Sequence, residues 1–486
     1  MWHEERLLID GDLVPAEGDR TFETVNPTTG KVLGTAADAT VGDARRAIES
    51  SRRAFDDTTW ATDVAFRQRC LRQLHEALVA TQEDLRALLM AENGLPHMLT
   101  QGPGLETPTG MVTWYAELLD KFEWTEDLGT SESMGRVSSR WVEKEPVGVV
   151  SAIVPYNYPI QISLAKLVPA LAAGCTVVLK GPPQTPWLTA ALGKLIAENT
   201  DIPAGVVNVL TSSELEVGVE TVTSPLVDMV SFTGSTAAGR RIMADAGATV
   251  KKVFLELGGK SAFVVMDDAP LDLAGMFAGF TITSHAGQGC AITSRLLVPE
   301  AKLDEAVEQT VAIMASVQVG DPADPANMMG PLISQAQWDR VDDYVRKAVA
   351  EGGTVVTGGK RPESLPDGYF YEPTLITGVG PDSTVAQEEV FGPVLVVLPY
   401  RDDDDAVAIA NNSIFGLSGT VFGVDEDRAT AVARRIRAGT ISVNGGMWYG
   451  ADAPFGGYKQ SGIGREMGVP GLEEYLETKT LARPAG

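Results

Sequence analysis

The sequence is poor in cysteine, histidine and basic residues, and each shortage excludes something. Cys70, Cys175 and Cys290 are its three cysteines, an odd number, widely spaced and without a C-x-x-C pair. That argues against a disulfide framework and against a zinc site. The four histidines, His3, His75, His97 and His285, form no H-E-x-x-H or similar cluster, so no metal is expected. Lys and Arg number 39 against 65 Asp and Glu, a formal net charge of −26. Such a charge repels phosphate backbones and anionic membranes, and no Lys/Arg run reverses it locally, so nucleic acid is not an expected partner. No stretch approaches the roughly 20 uninterrupted apolar residues of a membrane helix. The start, MWHEERLLID, has neither a basic n-region nor an apolar h-region. A cytoplasmic location away from membranes is the expectation.

What is present describes a sizeable globular protein. At 486 residues the chain has length for two to four structural units, and 44% hydrophobic with 21% charged residues is ordinary for a folded core. From about Val41 to Glu92, Ala, Leu, Arg and Glu with helical spacing predict two or three amphipathic helices covering a sheet. From Val147 onward, short Val/Ile-rich runs (GVVSAIV, TVVLK, VVNVL, DMVSFTG) alternate with helical stretches. Continuous apolar strands between helices predict a parallel sheet covered on both faces, a doubly wound α/β unit. A second series begins with FVVMDD, passes through RLLVPE and ends at TISVN. RVSSRWVEK and EEYLETKTLA stand outside this alternation and predict a projecting sheet or a subunit contact. Asp402 to Asp405 read as a solvated helix start, where acids complement the dipole.

Several segments could carry chemistry. FTGSTAAG, Phe232 to Gly239, follows a strand and precedes a helix, so its turn could present N–H groups to a pyrophosphate. Its G-x-x-x-x-G spacing is not the dinucleotide fingerprint, and alone it is an ordinary turn. LELGGKS places Glu256 beside two glycines; it is a general-base candidate if desolvated and otherwise an exposed loop acid. AGQGCAITSR sets Cys290 among small residues and opens a segment with a helical reading, whose N-terminus would lower the thiol pKa. Cys70 and Cys175 sit in apolar settings and read as inert. His285 is five residues from Cys290, which establishes no dyad. In VPYNYPI, Asn157 could donate to an oxyanion or simply hold a turn.

Taken jointly and in order, these segments resemble the aldehyde dehydrogenase superfamily over nearly the whole chain. PYNYP is similar to its oxyanion motif, TVVLKGPPQTP to its ribose segment and FTGST to its pyrophosphate turn. LELGGKS and GQGC resemble its general-base and nucleophile motifs, 34 positions apart as in the hydrolytic members, and EEVFGPV and PFGGYKQSGIGRE complete the set. The resemblance implies Cys290 as nucleophile, Asn157 with the Cys290 N–H as oxyanion donors, and Glu256 as the base that hydrolyses the thioester. It also implies Lys166 and Glu466 as a proton relay. The cofactor positions are Lys180 at the adenosine ribose, Gly234 and Ser235 at the pyrophosphate, and Glu389 with Phe391 at the nicotinamide.

One departure bears on the cofactor. The family's K-P-x-E is K-G-P-P here, with Gly181 for a proline and Pro183 where many NAD-preferring relatives carry a ribose-binding Glu. A carboxylate would repel a 2′-phosphate, so NAD is expected narrowly and NADP stays open. Tyr158, Ile162, Ala165, Trp448, Tyr449 and Phe455 match tunnel positions in relatives, and none is charged. Such a wall suits an apolar or aromatic aldehyde and leaves a second carboxylate or phosphate unpaired; Phe455 has core packing as its alternative. The implied fold is two doubly wound α/β domains, cofactor (1–123 and 147–257) and catalytic (258–460), with bridging segments 124–146 and 461–486 that make a homo-oligomer. Two other activities use the same nucleophile: a coenzyme A-acylating dehydrogenase, against which Glu256 speaks, and a nonoxidative cysteine esterase or thioesterase.

Overall fold

A computed structural model describes residues 3–485. Thr40 opens the first long helix, Val41–Asp57, with a capping box: its side chain accepts the Asp43 N–H and the Asp43 carboxylate accepts the Thr40 N–H. Val64–Ala80 and Gln82–Leu88 follow, so the expected Ala/Leu-rich region is three helices, and the first packs on the neighbouring sheet. Among the described residues no helix is long and apolar enough to cross a membrane.

That sheet has eight strands with Val149–Ile153 at its centre. Thr176–Lys180 and then Val207–Leu210 pair in parallel on one side. Met229–Thr233 and then Lys252–Glu256 pair in parallel on the other. The chain therefore reverses its order of addition beside the central strand. In an open parallel sheet the crevice beyond the strands' carboxyl ends at such a switch point is where a ligand fits. Asn157 follows the central strand there, and Gly234 follows its neighbour.

The helix Pro159–Ala173 covers the centre. Pro159 supplies its first turn, Gly174 at φ 100° ends it, and almost every residue is buried. Lys166 is its single charged residue and is fully enclosed.

The second sheet has seven strands and forms around Ser261–Val265. Thr293–Pro299 and Val394–Tyr400 extend it on one side, Ser418–Phe422 and Thr440–Val443 on the other, all parallel. Each sheet has its own apolar cores. The two outlying segments form a third, three-stranded sheet, Thr125–Ser133, Arg136–Pro146 and Leu476–Pro484 in antiparallel pairing. Asp402 accepts the Asp405 N–H and caps the helix Asp403–Asn411, as the acidic run predicts.

One buried carboxylate has no counterpart among the sequence expectations. Glu92, in a π-helical turn Leu89–Asn93, accepts the N–H groups of Trp187 and Leu188 and the Thr24 hydroxyl, each at 2.9 Å. It satisfies the first turn of the helix Pro186–Asn199, which follows the expected ribose segment. Burial pushes its pKa up to about 7, against the opposing pull of those three donors. Glu92→Ala is expected to cost about 3 kcal/mol, because it orphans two buried helix N–H groups and a hydroxyl. Urea unfolding reads that loss directly.

Candidate active site

Glu256 ends the strand Lys252–Glu256, and both its carboxylate oxygens are buried without a hydrogen-bond partner. Desolvation, and then the nearby Glu466 charge, raise its pKa well above the usual carboxylate range; Lys166 and Arg465 pull the other way. Its backbone carbonyl accepts the Gly234 N–H at 3.0 Å, tying the FTGST turn to the base strand.

The two glycines after Glu256 are required by space. A Cβ on Gly258 would strike the Glu389 carboxylate, and one on Gly259 would come within 2.5 Å of the Cys290 carbonyl. The Gly259 N–H donates to Glu389 Oε1 at 2.9 Å. The LELGG segment is thus the point at which Glu256, Glu389 and the Cys290 turn meet. Burial pushes the Glu389 pKa up to about 7.

Cys290 is partly accessible, whereas Cys70 and Cys175 are buried. The helical reading of its segment is corrected: the residue lies in a turn, and the strand Thr293–Pro299 follows. The residue's own segment therefore supplies no helix N-terminus to the sulfur. Burial first, then the charges of Glu256, Glu389 and Glu466, push the thiol pKa up. The backbone before the turn is strained, with His285 and Ala286 at φ 46° and 51° ahead of Gly287. Neither His285 ring nitrogen has a hydrogen-bond partner, and the ring packs against Tyr158 at 5.3 Å. Burial lowers its pKa to about 4, so the imidazole is neutral.

Asn157 is buried, and its Nδ2 donates to the Gln288 carbonyl at 3.1 Å, beside the Cys290 turn. Gln288 is in turn held by the Ile333 N–H and the Pro331 carbonyl. Asn93, next to Glu92, donates to the Tyr156 carbonyl at 2.6 Å and fixes the chain one residue before Asn157. Gln288 and Asn93 escaped the sequence reading, since a buried amide leaves no periodic signature.

Lys166 and Glu466 form a buried ion pair at 2.7 Å. Cys290 and its neighbour Ala291 pack against one apolar cluster with Tyr158, Ile162, Ala165, Trp448, Tyr449 and Phe455. Trp448 stacks on Phe455 at 5.3 Å, 7° from parallel, and meets Tyr449 edge-on. Phe455 is also buried in the core, so packing and wall formation coincide there. Tyr158 is half-buried, and desolvation pushes its pKa up to about 12.

The expected cofactor positions lie along the carboxyl edge of the first sheet or against the LELGG turn. Lys180 ends its strand; its buried amine reaches only the Ser212 carbonyl, at 3.4 Å, and desolvation lowers its pKa to about 8. The Thr233 hydroxyl is buried and unpartnered. Ser235 caps the helix Thr236–Ala246 by accepting the Ala238 N–H. Phe391 adopts φ 60° and sets its ring edge-on to Tyr156. An under-coordinated buried ammonium and an orphaned hydroxyl at a switch-point crevice fit a phosphorylated, polyhydroxyl ligand. Gly181 has its own cause: any Cβ there would strike the Thr189 side chain, which fills that space.

The chain is similar to known proteins along nearly its whole length. A family model described as "Aldehyde dehydrogenase family" matches residues 13–481. A 3-succinoylsemialdehyde-pyridine dehydrogenase of a Pseudomonas species is 39% identical over 479 residues, covering 98% of each chain. The betaine aldehyde dehydrogenase of Bacillus subtilis is 37% identical over 99% of this chain and 97% of its own. Among solved structures, betaine aldehyde dehydrogenase of Staphylococcus aureus in complex with NAD+ superposes with a TM-score of 0.96 at 35% identity, over 99% of this chain and 95% of that one. A cysteine-to-alanine mutant of aldehyde dehydrogenase C from Pseudomonas syringae, with NAD+ and octanal, gives 0.93 at 34% identity, over 99% and 96%.

Proposed function

Since the chain belongs to the aldehyde dehydrogenase family, we propose that it oxidises an apolar aliphatic or aromatic aldehyde to the carboxylic acid through a thioester on Cys290. The observation that supports this reading is that the turn of a partly accessible thiol packs on the second glycine after the desolvated Glu256, Gly259, while the buried Asn157 amide bonds to Gln288 of the same turn.

Cys290 sulfur attacks the aldehyde carbon. Burial and carboxylates hold that thiol protonated, so the attack needs a base, and the raised pKa of Glu256 suits it to the task. The resulting oxyanion is stabilised by Asn157 and the Cys290 N–H. An amide carries two N–H donors, and Asn157 uses one on Gln288, which fixes the direction of the other. Bound NAD would supply the hydride acceptor needed to convert the thiohemiacetal into a thioester. Lys180, Gly234, Ser235, Glu389 and Phe391 would hold it, with NADP the weaker ligand. Water activated by Glu256 then cleaves the thioester, releasing acid and free thiol, while Lys166 and Glu466 pass the proton towards solvent. The acyl pocket is formed by Tyr158, Ile162, Ala165, Trp448, Tyr449 and Phe455. We assign residues 1–123 and 147–257 to cofactor binding, 258–460 to catalysis, and 124–146 with 461–486 to bridging in a cytoplasmic homo-oligomer, a state that light scattering reads.

Reduced nicotinamide absorbance tests the reaction, with octanal, benzaldehyde and betaine aldehyde offered alongside NAD or NADP. Octanal or benzaldehyde with NAD is expected to give the highest kcat/KM. Aryl ester hydrolysis without any aldehyde oxidation would sink the proposal in favour of an esterase. Asn157→Ala is expected to lower kcat by about 100-fold to 1000-fold, the usual loss for one oxyanion donor, with little change in cofactor affinity by fluorescence titration.

A further inference from the structure

The Lys166 ammonium has three donors and three receivers. One is Glu466 Oε1 at 2.7 Å, the second is the Ser231 hydroxyl at 3.3 Å, and the third is the Phe254 ring at 4.8 Å. Ser231 lies on the central-sheet strand Met229–Thr233 and is fully buried. Its hydroxyl meets the Tyr475 hydroxyl at 3.0 Å. Either hydroxyl can be the donor in that contact, because Ser231 Oγ has two acceptor sites and Lys166 occupies one of them.

Tyr475 is anchored at its other end. Its backbone carbonyl accepts the Val147 N–H at 2.9 Å and the Cys175 S–H at 3.3 Å. The next residue begins the strand Leu476–Pro484 of the three-stranded sheet. Val147 follows directly on the strand Arg136–Pro146, with which that strand pairs. The projecting sheet therefore fixes the tyrosine whose hydroxyl ends the chain Glu466–Lys166–Ser231–Tyr475.

We propose that Ser231 and Tyr475 are positioning residues that hold the Lys166 ammonium behind the general base, so that the three-stranded sheet sets the basicity of Glu256 through them. This rests on the reading of Glu256 as the base. The charged and titratable groups facing it are Glu466, Lys166, Arg465 and Cys290, and those facing Tyr475 are Glu466, Tyr115 and Cys175. Of these, Lys166 and Arg465 favour the Glu256 carboxylate, so loosening the lysine leaves Glu466 less opposed. The Glu256 pKa then rises, and the acid limb of turnover moves to higher pH.

Ser231→Ala, Ser231→Thr, Tyr475→Phe and Lys166→Met test this in the full-length enzyme, through the pH profile of kcat and the pre-steady-state burst of reduced nicotinamide. Ser231→Ala and Tyr475→Phe are expected to move the acid limb up by about one pH unit, with burst amplitude and KM for NAD unchanged. Ser231→Thr restores the hydroxyl and is expected to return the limb to its original place. If Tyr475→Phe fails to fold, the two Ser231 variants decide alone. An unmoved limb in folded Ser231→Ala, with Lys166→Met shifting it, overturns the positioning role and leaves the relay standing. A limb that ignores Lys166→Met as well overturns both.

Discussion

Replacing Cys290 by alanine is expected to lower aldehyde oxidation by about 10⁴-fold or more, because the covalent route then has no first step. Two neighbouring observations bound the expectation. The Cys290 carbonyl, not its side chain, is the atom against which Gly259 packs, so truncation leaves the LELGG contact with Glu389 intact. The sulfur's hydrogen bond is to the backbone of the adjacent Ala291, whereas Gln288, Asn157 and Ser418 tie the turn to the rest of the fold from either side. Cys290→Ala should therefore fold, unfold at the same temperature and bind NAD normally. Cys70→Ala and Cys175→Ala serve as controls, since burial holds both thiols protonated, Cys175 at a pKa of about 12. Activity persisting in Cys290→Ala and lost in either control would move the chemistry elsewhere.

The architecture was largely legible because it follows from patterning. The VVL centre of TVVLK has no polar position and forms a buried strand, and Lys180, the charged residue that ends it, lies at the sheet's carboxyl edge. RVSSRWVEK and EEYLETKTLA stood out because neither belongs to a βα repeat, and they pair with each other. The nucleophile's surroundings were less legible. AITSR after Cys290 has residues that either a helix or a strand accepts, and pairing of Ser261 with Thr293 decides for strand. That register is a long-range fact absent from the local sequence. It reverses the expected electrostatics of the thiol, from a helix dipole that would lower the pKa to burial and carboxylates that raise it. Glu92, Asn93, Ser231 and Tyr475 were illegible for a related reason. Each acts through a single hydrogen bond or a small set of them, to partners far along the chain.

Glu256→Gln is expected to separate the two halves of the proposed reaction, the second large effect. Glutamine keeps the side chain's volume and removes only the proton acceptor. Loss of a general base costs about 10²-fold to 10⁴-fold, and the loss is expected in steady-state turnover. A burst of about one reduced nicotinamide per subunit should persist at alkaline pH, where solvent hydroxide can take the thiol proton. On the proposed mechanism the parent's activity depends on the ionised carboxylate, so kcat is expected to rise as pH climbs through the raised Glu256 pKa, and the variant to lack that limb. The same carboxylate makes a stability prediction of fixed sign. Desolvation raises its folded-state pKa, so the native state binds the proton more tightly than the unfolded chain, whose value is 4.5. Stability from this group is complete below 4.5 and declines as pH rises towards the folded-state pKa, by on the order of a kcal/mol per pH unit. A glutamine never charges and escapes the decline. Glu256→Gln should match the parent in thermal unfolding near pH 4 and exceed it near pH 8, while being the far poorer enzyme. Equal unfolding temperatures at both pH values would mean that Lys166 and Arg465 fully offset the burial of this carboxylate, and the raised pKa would have to be abandoned.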